Sequence, residues 1–411
     1  MPKFLFSSYH NCFDPYSGAA VSTRALLRAA ARNGWRTRAF CGPLCDSPET
    51  NDQTIVELVK RIDPNYSVRS ASFAFQGRKT IFRYLRFNDE GVDAAIYLPD
   101  GAFRQVPRSF LPRNLGDAFL SLFASNLREF QPEIYGTYGG YWAAPGAAKL
   151  ARDSGAKNVF FLHNLQYERR ELFDNFDAAI VPSQFAADYY RERLDLRAIV
   201  VPPTIETSNV VALKRNPKYV VFINPSPEKG LALFAALARK LAVMRPDVKL
   251  LVVGGRTPVE NSAALRSTLE LPNVSFSRGS SDPRAVYDVA RILLVPSLCR
   301  ETFGRAVVEA SLNEIPVLCS DRGALTEVLG DDPRIKALAL PVFDGDSADA
   351  TTRERVVARW LDALLQIWDD ADLARELGDR LAQNARRFAG EDATSRTLDA
   401  LARLATKTPS L

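Results

Sequence analysis

Short apolar strands alternate with helix-period segments along the chain, twice over, and that alternation leaves few folds open. In the first half, residues 3–8, 35–40, 133–137, 158–162, 178–182 and 198–201 read as buried strands. Helical segments at 19–33, 116–130 and 184–194 lie between several of them. Strands separated by helices pair in parallel through right-handed crossovers. Residues 66–112 break the rhythm, with 67–75, 80–87 and 92–98 reading as extra strands. There Arg78, Lys79, Phe82, Arg83, Tyr84, Arg86 and Phe87 interleave cations with aromatics, the ordinary pattern of an exposed strand face.

The second half repeats the scheme, with strands at 219–224, 249–253, 274–276, 292–296 and 316–319, and helix from 347 to the end. Residues 202–217 are polar, proline-bearing and aperiodic, which marks a boundary. The expectation is α/β: a first domain over 1–205 carrying the inserted strands, a second over 206–390, and a final helix over 391–411 packing back on the first. A length of 411 residues suits two such cores. Ligands of doubly wound sheets meet the carboxyl ends of the strands.

Other classes drop out on composition. Five cysteines, none at zinc-ligand spacing, and two histidines, His10 and His163, argue against a disulfide framework or a histidine-rich metal centre. There is no apolar run of about 18 residues, the minimum for a membrane span, and no signal-peptide pattern at the amino terminus. The expectation is a cytoplasmic protein. A net charge of +5 is too small for a nucleic-acid-binding stripe, though it is compatible with peripheral contact with an anionic membrane.

The segment from Pro296 to Ala310, PSLCRETFGRAVVEA, leaves a strand, turns, and opens a helix near Phe303. Thr302 is of a type that caps helices, and Gly304 allows close approach to the first turn. Unpaired amides there suit a phosphate. Glu301 precedes the helix and Glu309 lies on it, about 9 Å along the axis from its start near Phe303 at ~1.5 Å per residue. Two carboxylates flanking an anion site in this way can hold hydroxyls at both ends of a nucleotide sugar. A second segment, FINPSPEKG over 222–230, sets Lys229 at the mouth of a helix, where the dipole disfavours a cation unless an anion joins it.

Glu301 and Glu309, seven residues between them, resemble the E-x7-E signature of retaining glycosyltransferases, and the stretch around them is similar to glycosyltransferase family 4. The resemblance implies the GT-B fold, two Rossmann-like domains facing across a cleft, and transfer from a UDP- or GDP-sugar to an acceptor hydroxyl with retained configuration. No metal or other cofactor is implied. Glu301 is expected on the transferred sugar, Glu309 on the ribose, and Lys229 with the amides of Phe303, Gly304 and Arg305 on the diphosphate. Gly254, Gly255 and Gly279 are expected beside the nucleobase, Gly18 near the diphosphate and His163 near the donor sugar. Asn224 stands where many relatives have arginine, so Arg300 or Arg305 is expected to supply that charge. Asn224 also keeps open a noncatalytic, nucleotide-binding partner subunit as the alternative. A sugar-nucleotide epimerase fits the architecture but not the paired glutamates. A nicotinamide dehydrogenase fails because residues 7–18 hold one glycine instead of the fingerprint.

Overall fold

The computed structural model describes residues 1–46, 50–75, 78–99, 113–255, 262–279, 282–343 and 349–406. They form two compact units, one of Met1–Pro182, Ala187–Pro203 and Thr394–Leu411, the other of Ser183–Ala186 and Thr204–Ala393.

The first unit holds β1 (Lys3–His10), α1 (Gly18–Arg32), β2 (Arg36–Leu44), α2 (Asp52–Ile62), β3 (Ser67–Phe75), β4 (Arg78–Asp89), β5 (Val92–Pro99), α3 (Arg113–Phe130), β6 (Ile134–Thr137), α4 (Ala143–Asp153), β7 (Lys157–Phe161), β8 (Ala178–Val181), α5 (Gln184–Leu194) from Ala187 onward, and β9 (Ala198–Val200). Its nine strands run in the order β3-β4-β5-β2-β1-β6-β7-β8-β9. Pairing is parallel from β5 through β9 and antiparallel across β3, β4 and β5. The central strands are apolar on both sides because helices cover both faces; Phe4, Leu5 and Phe6 of β1 are fully buried. In the inserted strands Phe82 and Phe87 turn into the core. Arg86 bonds Asp93, and Arg83 bonds Asp52. Residues 76–77 and 100–112 of the insertion, and the side chains of Arg78 and Lys79, lie outside the described residues.

The second unit continues with α6 (Thr207–Val210), β10 (Tyr219–Ile223), α7 (Leu231–Met244), β11 (Lys249–Val253), α8 (Ala263–Leu269), β12 (Val274–Ser277), α9 (Arg284–Val289), β13 (Ala290–Val295), α10 (Arg305–Leu312), β14 (Val317–Ser320), α11 (Leu325–Leu329), α12 (Pro333–Lys336), β15 (Ala339–Leu340), α13 (Ala350–Asp369) and α14 (Ala371–Ala385). Its six strands, in the order β12-β11-β10-β13-β14-β15, are all parallel. From Thr394 the last helix, α15 (Gly390–Thr406), belongs to the first unit, where Leu398 and Leu401 join the core of β1 and β2. Among the described residues no helix is long and apolar enough to cross a membrane.

Candidate active site

Strand order in the second sheet reverses between β10 and β13, and the chain leaves both strands at their carboxyl ends there. Two loops meet as a result. After β10, Pro227–Lys229 makes one 3-10 turn and Gly230, at φ +87°, starts α7. After β13, the amides of Leu298 and Cys299 both donate to the carbonyl of Glu228, at 2.8 and 3.1 Å. A Cβ on Gly230 would stand 1.9 Å from the carbonyl oxygen of Pro296, so the loops approach as closely as bare backbone allows.

That contact brings Lys229 to Glu301. The ammonium lies 2.5 Å from Oε1, and the hydroxyl of Ser297 donates to the same oxygen at 2.8 Å. The thiol of Cys299 lies 3.8 Å from it. Burial, then the charge of Glu301, pushes that thiol up, with Lys229 opposing, so it stays protonated. Oε2 of Glu301 has no hydrogen-bond partner among the described residues. The backbone of Glu301 is fixed as well: Ala324 donates to its carbonyl at 2.8 Å, and a Cβ on Gly323 would meet that oxygen at 2.4 Å.

The helix begins two residues later than the sequence reading has it. Gly304, at φ +90°, is the N-cap of α10 and Arg305 its first residue, so Thr302 does not cap it. The physical reason is the left-handed backbone of Gly304, which lies outside the helical region; glycine is required there as well because Leu325 Cδ2 would lie 2.4 Å from a Cβ. Phe303 is buried with its ring edge-on to Phe388, centroids 5.1 Å apart, so its side chain is core and its contribution to a ligand is backbone. Glu309 is buried on the same helix, its Oε1 2.5 Å from the Nε of Arg305 and its Oε2 accepting the hydroxyl of Tyr287 at 2.8 Å. Arg300 is exposed in the turn.

Asn224 follows β10 in the left-handed region, at φ +59°, where asparagine is among the few side chains tolerated. Its Oδ1 lies against Gly255, at 2.3 Å from where a Cβ would be. Gly254 donates to the carbonyl of Ser277 at 2.8 Å and faces Phe276, and its built Cβ lies 3.5 Å from the amide of Gly279. Gly254, Gly255 and Gly279 therefore form one floor at the ends of β11 and β12, with the ring of Phe276 exposed beside it.

Gly18 and His163 belong to the first unit. Gly18 opens α1 with nothing within 4 Å of a built Cβ, so packing does not require glycine there. His163 follows β7, its ring edge-on to Tyr138 at 5.5 Å, and burial lowers its pKa to about 4. Ser297 and Tyr287 are the residues the sequence reading left out. Ser297 stands inside the quoted motif, whereas Tyr287 lies in a helix without any.

Residues 204–347 match the family model for glycosyl transferases group 1. Over these residues the chain is similar to the group 1 glycosyl transferases. The lipopolysaccharide 1,2-N-acetylglucosaminetransferase of Salmonella typhimurium is 30% identical over 207 residues, 44% of this chain and 53% of that one. The chain thus spans about half the length of that curated relative. Across the whole chain the fold is GT-B. Sucrose-phosphate synthase from Thermosynechococcus elongatus superposes with a TM-score of 0.67 at 17% identity, covering 98% of both chains. HepE of Anabaena, in complex with UDP and glucose, superposes with a TM-score of 0.66 at 14% identity, covering 98% of this chain and 100% of that one. The Lys229–Glu301 pair and Glu309 both fall within the matched residues.

Proposed function

We propose that the protein transfers a sugar from a nucleoside diphosphate donor, a UDP- or GDP-sugar, to an acceptor hydroxyl, with retained anomeric configuration and without a metal. The observation that carries this reading is the pairing of Lys229 with Glu301 at the β10/β13 switch point, one loop away from the start of α10. An ammonium there and the positive dipole end at the start of α10 favour a diphosphate whose negative charge grows as it departs. Oε2 of Glu301 remains open to accept from sugar hydroxyls. Glu309, further along the same helix, is assigned the ribose, and the Gly254–Gly255–Gly279 floor the base. Solved HepE carries UDP, which supports a nucleotide donor here.

The reaction follows from that electrostatic arrangement. The bond from the anomeric carbon to the leaving phosphate oxygen breaks while the acceptor oxygen bonds to the same face. The departing phosphate oxygen takes the acceptor's proton. Lys229 stabilises the leaving charge, and Glu301 orients the sugar. His163 is assigned a contact with the donor sugar as a neutral imidazole.

The deciding experiment is a thermal-shift series with UDP, GDP and their sugars, with and without chelator. At about 100 times the dissociation constant a nucleotide should add ~2.7 kcal/mol of stability, unchanged by chelator. Strict dependence on magnesium or manganese would overturn the metal-free form. Proton NMR of the product's anomeric coupling tests retention. Binding without transfer or donor hydrolysis would favour the noncatalytic partner instead.

A further inference from the structure

Glu309 does not stand alone on its helix. Its carboxylate is clamped by two donors from different elements: Arg305, one turn earlier on α10, on Oε1, and Tyr287, from α9, on Oε2. We propose that Tyr287 is the positioning residue that makes Glu309 a selective acceptor for the vicinal diol of a ribose. The inference rests on the ribose role given to Glu309 above.

The argument is one of lone pairs and torsion. A glutamate's terminal torsion is broad and nearly two-fold, so a carboxylate on a helix surface presents no fixed plane. Two donors on two different oxygens fix that plane. An ionised carboxylate offers about four acceptor sites; with one taken on each oxygen, about one remains on each. Those two sites lie in one plane, the arrangement that two adjacent hydroxyls satisfy together. Tyr287 is suited to the task because it cannot move or ionise there. It is 1% exposed, in a short helix that runs directly into β13. Burial, and after it the charge of Glu309, pushes its phenol far above the usual range, so it remains a donor at every working pH. A buried phenol facing a carboxylate would otherwise be an expensive way to fill a core that phenylalanine fills equally well.

The test compares affinities within one variant. Calorimetry measures UDP against 2′,3′-dideoxy-UDP, or the GDP pair if the wild type binds only GDP, on wild type and Tyr287→Phe. Wild type should prefer the ribonucleotide by roughly tenfold or more, the range of hydrogen bonds to a charged acceptor. Tyr287→Phe should bring that preference to within about twofold. Partial unfolding lowers both affinities alike and leaves their ratio untouched, so a merely structural role does not move it. Should Tyr287→Phe fail to fold, 3-fluorotyrosine at position 287 keeps the shape and strengthens the donor, and the ratio should rise. A wild type that discriminates alongside a variant that discriminates equally overturns the role of Tyr287. A wild type that binds neither pair, or binds ribose and dideoxyribose alike, overturns the ribose role of Glu309 and this inference with it.

Discussion

Gly230 meets the carbonyl oxygen of Pro296 so closely that no side chain fits between them: a Cβ would stand 1.9 Å from it. The left-handed backbone of Gly230, φ +87°, reinforces the requirement. Lys229 and Glu301 come together through this contact, since the neighbouring Leu298 and Cys299 amides bond Glu228 across the same seam. Gly230→Ala should therefore cost about 3 kcal/mol of stability, at the upper end for a strained backbone position, and should lose transfer even where it folds. Urea denaturation reads the first effect and turnover the second. A variant of wild-type stability would mean that the seam yields easily.

The two glutamates should fail differently. Glu301→Ala removes the partner of Lys229 and Ser297 but leaves the clamped Glu309 intact, so it should impair transfer while leaving nucleoside diphosphate binding within a few-fold. Glu309→Ala should weaken nucleotide binding itself. Calorimetry on both variants decides, and equal losses would sink the division of roles.

Phosphate charge should come from the turn before α10. Lys229 and a helix end supply little more than one and a half positive charges against a leaving diphosphate. Arg305 is held by Glu309, which turns attention to exposed Arg300. Lys229→Ala should nearly abolish transfer, and Arg300→Ala should cost about 2–4 kcal/mol of transition-state stabilisation. Turnover, or slow donor hydrolysis, provides the readout; an Arg300→Ala enzyme of full rate would leave Asn224 unexplained by relocation.

Asn224 itself should not be convertible. Its φ of +59° tolerates asparagine or glycine far better than a long side chain. Asn224→Gly should keep near-wild-type stability, whereas Asn224→Arg should lose about 1 kcal/mol and gain no activity. Faster transfer by the arginine variant would contradict this account.

His163 sets a pH dependence. Its folded pKa, about 4, lies below the ordinary histidine value, so between the two the unfolded chain binds the extra proton. The contribution is complete above about pH 6.5 and is lost progressively as pH falls toward 4. His163→Gln should flatten the fall in melting temperature over that window. An unchanged slope would place the buried proton elsewhere.

Much of this was legible in the chain because parallel strands covered on both faces must be apolar throughout. Stretches such as Val220–Phe222 and Ile292–Leu294 admit no other reading. The motif between Pro296 and Ala310 was legible for a similar reason, since strand, turn and glutamates lie in one continuous segment. What escaped depends on contacts between distant segments. The start of α10 is set by the left-handed turn at Gly304, a position where packing against Leu325 leaves no room for a side chain, and a capping threonine at 302 outweighs that in any local reading. Tyr287 reaches Glu309 from 22 residues earlier, in a helix with no motif of its own. Helix α4 carries Pro145 and Gly146 in its first turn, which obscured its period.

The return of the chain at Thr394 bears on how the protein is made. Most of the first unit leaves the ribosome before the second, yet Leu398 and Leu401, which join its core, are synthesised only after the second unit. At roughly 5–20 residues per second, the intervening second unit delays them by about ten to forty seconds. For that interval the nine-stranded sheet waits with an apolar face uncovered. The nascent chain, more than the finished protein, is the species most exposed to aggregation.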